Sequence, residues 1–265
     1  MHVEIGTRSI AYDDAGEGRP VLLVHGFPHH RRLWAPQLRA LAGHSRAIAV
    51  DLPGFGESDM PERFGIDAWA DGLARFLDAL DIDRAVVAGL SMGGYITLAF
   101  WRRHRERVAA LVLADTRAGA DSEEGKQKRR ETIELARREG PTAVARAMLP
   151  GMVGKSTRER EPAVVAEMRA MLESASVDSL VGASEAMMNR ADATATLATI
   201  DVATLIVVGE EDVLTPPKES RAMHAAITGS RLEVIPAAGH VSNIERPAAF
   251  NHVLTEFIEG LPAAR

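Results

Sequence analysis

The chain of 265 residues contains no cysteine. This excludes disulfides, thiolate-bound zinc and a cysteine nucleophile, and it removes any sign of an oxidising compartment. Aromatic residues make up only 5% of the chain, and none occurs between Trp101 and Phe250. No apolar run approaches the roughly 18 residues of a membrane span, and residues 1–5 lack the charged-then-apolar form of a signal peptide. These absences predict a soluble cytoplasmic protein that does not enter a membrane.

Basic residues are also in the minority, because 31 Lys and Arg stand against 37 Asp and Glu, a formal net charge of -6. Binding to nucleic acid or to an anionic membrane needs a basic face that displaces counterions. The charge balance therefore predicts a small-molecule partner and no nucleic acid. An apolar content of 46% allows a substantial core. Nothing in the composition indicates an oligomeric state.

Short apolar runs alternate with longer segments of helical periodicity. Continuous rather than alternating apolarity is typical of a parallel sheet that is covered on both faces. The predicted strands are residues 21–24, 47–50, 85–88, 109–114, 205–208 and 232–235. We expect residues 3–12 to form an antiparallel edge. The pattern predicts an α/β protein with a doubly wound, mostly parallel sheet.

The alternation stops after residue 114 and resumes near residue 205. The segment between them contains helical patterns at residues 126–138, 142–149, 162–172 and 177–189, which Gly-Pro and Pro-Gly pairs separate. We therefore predict a core domain of residues 1–116 and 200–265, with residues 117–199 inserted as a helical cap, or lid. The basic run at residues 126–130 is interpreted as a solvated helix face.

A G-x-S-x-G sequence, residues 89–93, lies between a predicted strand and a predicted helix. A serine on so tight a turn has a strained backbone, and side chains two residues before and after it would collide. Gly89 and Gly93 remove both collisions. The context predicts Ser91 as a nucleophile, held above the carboxyl edge of the sheet.

A serine nucleophile needs a base, and the base needs an acceptor that fixes its tautomer. Asp212 and His240 each follow a predicted strand, where doubly wound sheets place their ligands. The chain order Ser91, Asp212, His240 is the one expected for such an architecture. Asp115 also follows a strand and is the alternative acid.

The segment after the first parallel strand, His25-Gly26-Phe27-Pro28, predicts an oxyanion hole. We expect the backbone N–H groups of Phe27 and Met92 to stabilise a tetrahedral intermediate. Gly26 permits the turn, and Pro28 stiffens the loop. His25 is expected to orient this loop.

His29 and His30 are expected at the pocket entrance, because no third ligand with recognisable spacing accompanies them as a metal site would require. Two near-matches to phosphate-binding motifs, at residues 54–59 and 119–127, lack the residues that nucleotide binding needs. We therefore predict no metal and no cofactor. Asp51 is interpreted as structural, and Glu210 and Glu211 as solvated or loop-capping residues.

Five segments together resemble the α/β-hydrolase-fold serine hydrolases over essentially the whole chain: residues 25–28, 51–58, 89–94, 209–212 and 239–240. The Gly-x-Ser-Met-Gly-Gly form is similar to that of small carboxylesterases and 3-oxoadipate enol-lactonase-like proteins. Haloalkane dehalogenases and epoxide hydrolases have an aspartate at the position of Ser91, and dienelactone hydrolases have a cysteine nucleophile, which this chain lacks. Met92 departs from the tryptophan of proline iminopeptidases.

The resemblance implies a cofactor-free carboxylic ester hydrolase that acts through a Ser-His-Asp triad and an acyl-enzyme. The predicted lid lacks aromatic residues but has six methionines, at positions 148, 152, 168, 171, 187 and 188. Flexible thioether surface favours short to medium aliphatic acyl esters. The residues expected to contact substrate are Gly26, His30, Met148, Met152 and Met187.

Three alternatives remain open. A lactone hydrolase would use the same residues on a cyclic ester. A cofactor-free perhydrolase would form peracids with the same triad. A ligand sensor of the same fold would retain the triad without sustained turnover.

Overall fold

The computed structural model describes residues 1–262. Its strands, in chain order, are β1 (His2–Ile5), β2 (Arg8–Ala15), β3 (Pro20–Val24), β4 (Arg46–Val50), β5 (Ala85–Leu90), β6 (Val108–Ala114), β7 (Thr204–Gly209) and β8 (Arg231–Ile235). They form one sheet in the order β1-β2-β4-β3-β5-β6-β7-β8. The strands from β3 to β8 pair in parallel, whereas β1 and β2 pair antiparallel. The predicted fold class and antiparallel edge are confirmed.

Helices account for most of the remaining chain. In order they are α1 (Ala35–Leu41), α2 (Ile66–Ala79), α3 (Met92–His104), α4 (Glu123–Met152), α5 (Lys155–Arg160), α6 (Pro162–Glu173), α7 (Val177–Met188), α8 (Thr194–Leu197), α9 (Pro217–Ala226), α10 (Ser242–Glu245) and α11 (Pro247–Glu259). Within residues 1–262, no helix is long and apolar enough to cross a membrane. The cytoplasmic location stays a prediction.

Both faces of the sheet are covered, which explains the continuous apolar strands. Successive residues of β3 alternate between two hydrophobic cores: Leu22 belongs to one, and Val21 and Leu23 belong to the other. Helices α2 and α3 contribute to the first core, and α1 and α11 contribute to the second. Because every residue of β5 is buried between them, the serine that follows this strand emerges at the centre of a rigid sheet.

The helices from α4 to α8 all lie between β6 and β7. Helix α4 is broken at Gly140, which has a φ of 77° and precedes Pro141. The break lies at the Gly-Pro pair that the sequence predicts to separate two helical segments. The four predicted helical segments are confirmed, whereas α5 and α8 were not predicted. The division into a core and a cap at residues 117–199 stays a prediction; we refer to these residues as the helical insertion.

Candidate active site

Ser91 occupies a strained turn between β5 and α3. Its backbone has φ 55° and ψ -113°, in the left-handed region that L-residues rarely adopt. A Cβ atom on Gly89 would lie 2.2 Å from the Gly93 carbonyl oxygen, and one on Gly93 would lie 2.2 Å from the Val24 carbonyl oxygen. The two glycines are therefore required by close backbone approach, as the sequence predicts.

The structure brings Ser91, His240 and Asp212 into one hydrogen-bonded chain. The Ser91 Oγ lies 2.8 Å from His240 Nε2, and His240 Nδ1 lies 2.9 Å from Asp212 Oδ2. Both the imidazole and the carboxylate are almost completely buried. This arrangement can remove a proton from the serine hydroxyl and hold the resulting imidazolium.

Several donors keep the Asp212 carboxylate ionised. The N–H groups of Leu214 and Thr215 donate to Oδ1 at 2.8 and 3.0 Å, and the Thr215 hydroxyl donates to Oδ2 at 2.7 Å. Burial opposes ionisation, but His240 and these donors outweigh it and lower the pKa of Asp212. Burial likewise opposes protonation of His240, yet the facing carboxylate raises the pKa of His240. The role of Thr215 was not predicted from the sequence, although an Asp that accepts from the backbone N–H two residues later, as Asp212 does from Leu214, is typical of a turn.

Asp115, the alternative acid, lies at the same sheet edge but binds other groups. Its carboxyl group accepts from the Gly209 N–H at 2.8 Å and from the Ser242 hydroxyl at 2.6 Å. Complete burial, together with the nearby Asp212 carboxylate, raises the pKa of Asp115 well above its usual value. Asp115 therefore joins β7 to the segment after His240, whereas Asp212 is the carboxylate that contacts the imidazole.

Glu245 supports the loop that carries His240, a role that was not predicted from the sequence. Its two carboxylate oxygens accept from the N–H groups of Gly154 and Gly239, each at 2.8 Å. The first amide belongs to the helical insertion and the second to the residue before His240. Burial raises the pKa of Glu245. The only sequence signal was its position at the end of a short helical turn after the histidine.

Glu211 and Glu210 bind backbone amides, consistent with the predicted loop-capping role. Glu211 accepts from the Ser156 N–H at 2.8 Å and from the Ser156 hydroxyl at 2.5 Å, at the start of α5. Glu210 accepts from the Ala237 N–H at 3.2 Å. The loop that carries Asp212 is thus attached both to the helical insertion and to the strand end before His240.

Two backbone amides beside Ser91 have no hydrogen-bond acceptor among residues 1–262: the N–H groups of Phe27 and Met92. The Gly26 backbone packs against the serine turn, since a Cβ atom there would lie 3.1 Å from Ser91 Cβ. Unpaired N–H groups at the start of a helix and in an adjacent loop can donate hydrogen bonds to a developing oxyanion.

His25 orients the loop that carries Phe27, as predicted. Its Nδ1–H donates to the Gly26 carbonyl at 2.8 Å, and its Nε2 accepts from the Leu52 N–H at 3.0 Å. Burial lowers the pKa of His25 to about 4. The ring is therefore neutral, and both of its nitrogens are occupied by structural hydrogen bonds.

The structure places the neighbouring histidines differently from the expectation. His29 is fully buried rather than at a pocket entrance, and burial lowers the pKa of His29 well below its usual value. The His30 ring accepts from the Arg32 N–H and caps a short 3-10 helix, Arg31–Trp34. Within residues 1–262, no cluster of His, Asp or Glu side chains is arranged to hold a metal ion.

Asp51 has a structural environment, as predicted. Its buried carboxylate accepts from the Arg31 N–H at 2.6 Å and from the Glu57 N–H at 2.9 Å, and it also pairs with the Arg31 guanidinium. It thereby connects the loops after β3 and β4 and has no contact with Ser91.

A cavity of about 480 Å³ opens onto Ser91 and His240, a size typical of small-molecule sites. Of the residues expected to contact substrate, Met148, Met152 and Met187 line it, whereas Gly26 and His30 are not in its wall. Its charged wall was not predicted from the sequence. The charged residues there are Arg117, Asp121, Glu124, Lys128 and Arg129.

A family model described as alpha/beta hydrolase fold matches residues 19–247. The chain belongs to this family. Membership agrees with the sheet order and with the serine turn after β5, and it confirms the resemblance inferred from the five sequence segments.

Relatives of this α/β hydrolase include several esterases. It is similar to a thermophilic esterase from Thermogutta terrifontis, solved with malate bound, at 38% identity and a TM-score of 0.94 over 98% of both chains. The enol-lactonase from Burkholderia xenovorans is 30% identical with a TM-score of 0.90, over 97% of this chain and 99% of that one. A pimeloyl-[acyl-carrier protein] methyl ester esterase from Neisseria meningitidis is 29% identical over 91% of this chain and 93% of its own. This chain is therefore an α/β hydrolase of the esterase type.

Proposed function

We propose that this hydrolase cleaves carboxylic esters through a covalent acyl-enzyme, with Ser91 as nucleophile, His240 as general base and acid, and Asp212 as the carboxylate that orients the imidazole. The observation that carries the proposal is the chain of hydrogen bonds from Ser91 Oγ to His240 Nε2, at 2.8 Å, and from His240 Nδ1 to Asp212, at 2.9 Å. The similarity to an esterase and to an enol-lactonase supports hydrolysis of an ester bond.

In the first half of the reaction, Ser91 Oγ attacks the ester carbonyl carbon while its proton passes to His240 Nε2. The carbonyl oxygen becomes an oxyanion, which the Phe27 and Met92 N–H groups stabilise. The imidazolium then gives its proton to the leaving alkoxide, and the C–O bond breaks. Asp212 stays ionised throughout and favours the imidazolium electrostatically.

In the second half, a water molecule attacks the acyl-enzyme with His240 as the base. The tetrahedral intermediate collapses, the proton returns to Ser91, and a carboxylic acid leaves. No cofactor is needed for either half, because every proton and electron pair is transferred among the serine, the imidazole, the substrate and water.

For the substrate, we propose short to medium acyl esters. Met148, Met152 and Met187 supply adaptable apolar surface in the wall of the Ser91 cavity. We further propose that the helical insertion acts as the lid over this cavity. Gly26 acts only through its packing against the serine turn, and His30 is not assigned a substrate contact.

Replacing Ser91 tests the proposal. We expect Ser91→Ala to lower kcat for p-nitrophenyl butyrate by about 10⁴-fold or more, with unchanged folding by circular dichroism. The matched control is Ser230→Ala, because the Ser230 hydroxyl bonds only to His224, on the surface. Wild-type rates in Ser91→Ala would contradict the proposal, whereas an acyl adduct on Ser91 that mass spectrometry detects during sustained turnover of wild type would support it.

Lactone hydrolysis is the second candidate, and the similarity to an enol-lactonase favours it. The same residues would open a cyclic ester, and the leaving alkoxide would remain attached to the acyl group. Comparing kcat/KM for γ- and δ-lactones with that for linear esters of equal carbon number distinguishes the two.

The perhydrolase and ligand-sensor alternatives stay predictions. Peracid formation from acetate and hydrogen peroxide would support the first. A single turnover that stops at the acyl adduct would support the second, whereas sustained ester turnover without a partner protein would contradict it.

A further inference from the structure

One buried carboxylate beside the Ser91 cavity pairs with three guanidinium groups. The Asp121 side chain is 1% exposed, and it forms ion pairs with Arg129 at 3.2 Å, with Arg190 at 2.9 Å and with Arg117. One negative charge against three positive charges leaves a local excess of two. This excess stands out in a chain whose net charge is -6.

One of the three guanidinium groups is buried against the protein. Arg190 donates to the Gly119 carbonyl at 2.6 Å and to the Met187 carbonyl at 2.9 Å, and it stacks 4.0 Å from the centre of the Tyr95 ring. It is 3% exposed. Arg190 therefore holds the helical insertion against α3 and is not accessible to a ligand.

The other two guanidinium groups face the cavity. Arg117 and Arg129 line the same space as Ser91 and His240, and their side chains are 27% and 23% exposed. They share one carboxylate, so each has N–H donors beyond those that Asp121 can satisfy. Lys128 also lines the cavity, but an exposed Glu124 pairs with it at 2.8 Å.

The cluster lies close to the serine. Arg117 directly follows Thr116, whose hydroxyl donates to the Ser91 carbonyl oxygen at 2.8 Å. Arg129 lines the same cavity as Arg117 and Ser91. A carboxylate bound by Arg117 and Arg129 would therefore lie in the same cavity as an ester carbonyl at Ser91.

We propose that this cavity selects esters or lactones that carry a carboxylate a few atoms from the ester bond, with Arg117 and Arg129 binding that carboxylate. The planar guanidinium fork matches a carboxylate in two parallel hydrogen bonds. In a partly buried pocket such a contact is screened less than it would be on the surface. The inference rests on the proposed ester hydrolysis and narrows its substrate class.

Two matched pairs of substrates test the selection. On the acyl side, mono-p-nitrophenyl glutarate is compared with p-nitrophenyl butyrate; on the alcohol side, p-acetoxybenzoate is compared with phenyl acetate. We expect kcat/KM to favour the anionic member of at least one pair by about tenfold, and to favour it less as salt is raised. The pair that shows the preference identifies the side that carries the carboxylate. No preference in either pair would overturn the proposal.

Replacing Arg129 with an uncharged side chain tests whether the guanidinium groups around Asp121 cause the preference for anionic substrates. We expect Arg129→Gln to lower the ratio of anionic to neutral kcat/KM about tenfold. The control is Arg130→Gln, because Arg130 bonds to Gln127 on the exposed face of α4 and does not line the cavity. An unchanged ratio in Arg129→Gln, or an equal fall in both variants, would overturn the assignment.

A binding measurement separates this inference from the proposed reaction. Glutarate should bind wild type in calorimetry, should compete with ester, and should bind Arg129→Gln about tenfold more weakly. Hydrolysis of neutral esters that Ser91→Ala abolishes, without glutarate binding, would support the reaction and overturn the carboxylate site. Glutarate binding with ester turnover that Ser91→Ala does not affect would support the site and overturn the proposed nucleophile.

Discussion

The loops at the carboxyl ends of the strands and the helical insertion face the same cavity but carry their charges differently. In the loops, each buried carboxylate has its own set of donors: Asp212 binds His240 and Thr215, and Asp115 binds Gly209 and Ser242. In the insertion, one carboxylate, Asp121, is shared among three guanidinium groups. Paired groups hold a fixed geometry, whereas an unbalanced cluster retains capacity for a ligand. From this comparison we infer that the proposed reaction depends on the loops and that the proposed substrate preference depends on the insertion.

The sharpest test within the loops replaces each of the two buried aspartates, Asp212 and Asp115, with asparagine in turn. We expect Asp212→Asn to lower kcat by about 10⁴-fold, because an amide fixes the wrong tautomer of His240. Asp115→Asn, which changes a buried carboxyl group at the same edge that does not contact His240, should lower kcat by less than about tenfold. Ester kinetics on both variants, with folding checked by circular dichroism, measure this. The reverse ranking would reassign the orienting acid to Asp115.

Glu245 tests whether the loop geometry depends on the insertion. Glu245→Gln replaces one acceptor oxygen by an NH₂ group, which cannot accept from the Gly154 or Gly239 N–H that it faces. We expect the variant to lose about 1–3 kcal/mol of unfolding free energy and to have a lower kcat. Urea denaturation and ester kinetics measure the two effects. The matched control, Glu210→Gln, weakens a single exposed contact to Ala237 and should change the unfolding free energy by less than about 0.5 kcal/mol. Equal costs in the two variants would remove Glu245 from the supporting role.

The pH dependence tests how the loops shift the pKa of the base. Burial alone would lower the pKa of His240, but Asp212 raises it above the usual value near 6.5. Because the proposed reaction needs neutral His240, kcat/KM should fall as the pH drops through this raised pKa. A profile from about pH 4 to about pH 9 should therefore show an acid limb with a midpoint above 6.5. His224→Gln, a surface control, should leave the midpoint in place, and a midpoint below 6.5 in wild type would contradict the pairing.

The smallest expected effect lies in the apolar wall of the insertion. Met187→Ala enlarges the cavity, and we expect the ratio of kcat/KM for p-nitrophenyl hexanoate to that for the butyrate to rise about fivefold. Met168→Ala removes a methionine that is buried but does not line the cavity, so it should lower stability by about 2–5 kcal/mol without changing the ratio. A shift in the Met168 variant alone would assign chain-length preference to packing rather than to the cavity wall.

Most of the fold could be predicted because its signals are local. The apolar runs that form β3 to β8 reflect burial on both faces of a parallel sheet, and Gly140-Pro141 marks the break in α4. The short helices α5 and α8 could not be predicted, since they rest on tertiary contacts such as the hydrogen bonds from Ser156 to Glu211. A single turn has too few residues to show a period.

The candidate site divides in the same way. Ser91, Asp212 and His240 could be selected because each follows a strand, and parallel strands place their carboxyl ends at one edge. His29 was misplaced because a loop has no periodicity that shows which of its side chains are buried. Thr215 and Glu245 were missed because Thr215 acts by donating to the Asp212 carboxylate and Glu245 by accepting from backbone N–H groups, and such contacts depend on the folded loops.

By itself, the sequence determined the sheet, the inserted helices and the position of the three residues of the proposed triad, because these depend on periodicity and on chain order. Tertiary structure alone decided that Asp115 binds Gly209 and Ser242, and that Arg190 shares Asp121 with Arg117 and Arg129. The contacts of Asp115 and of Arg190 join residues that are far apart in the chain, and their energies depend on burial and on distances of a few ångströms. The basic run at residues 126–130 illustrates the limit: Arg130 lies on the solvated face, as predicted, whereas Arg129 points to the cavity.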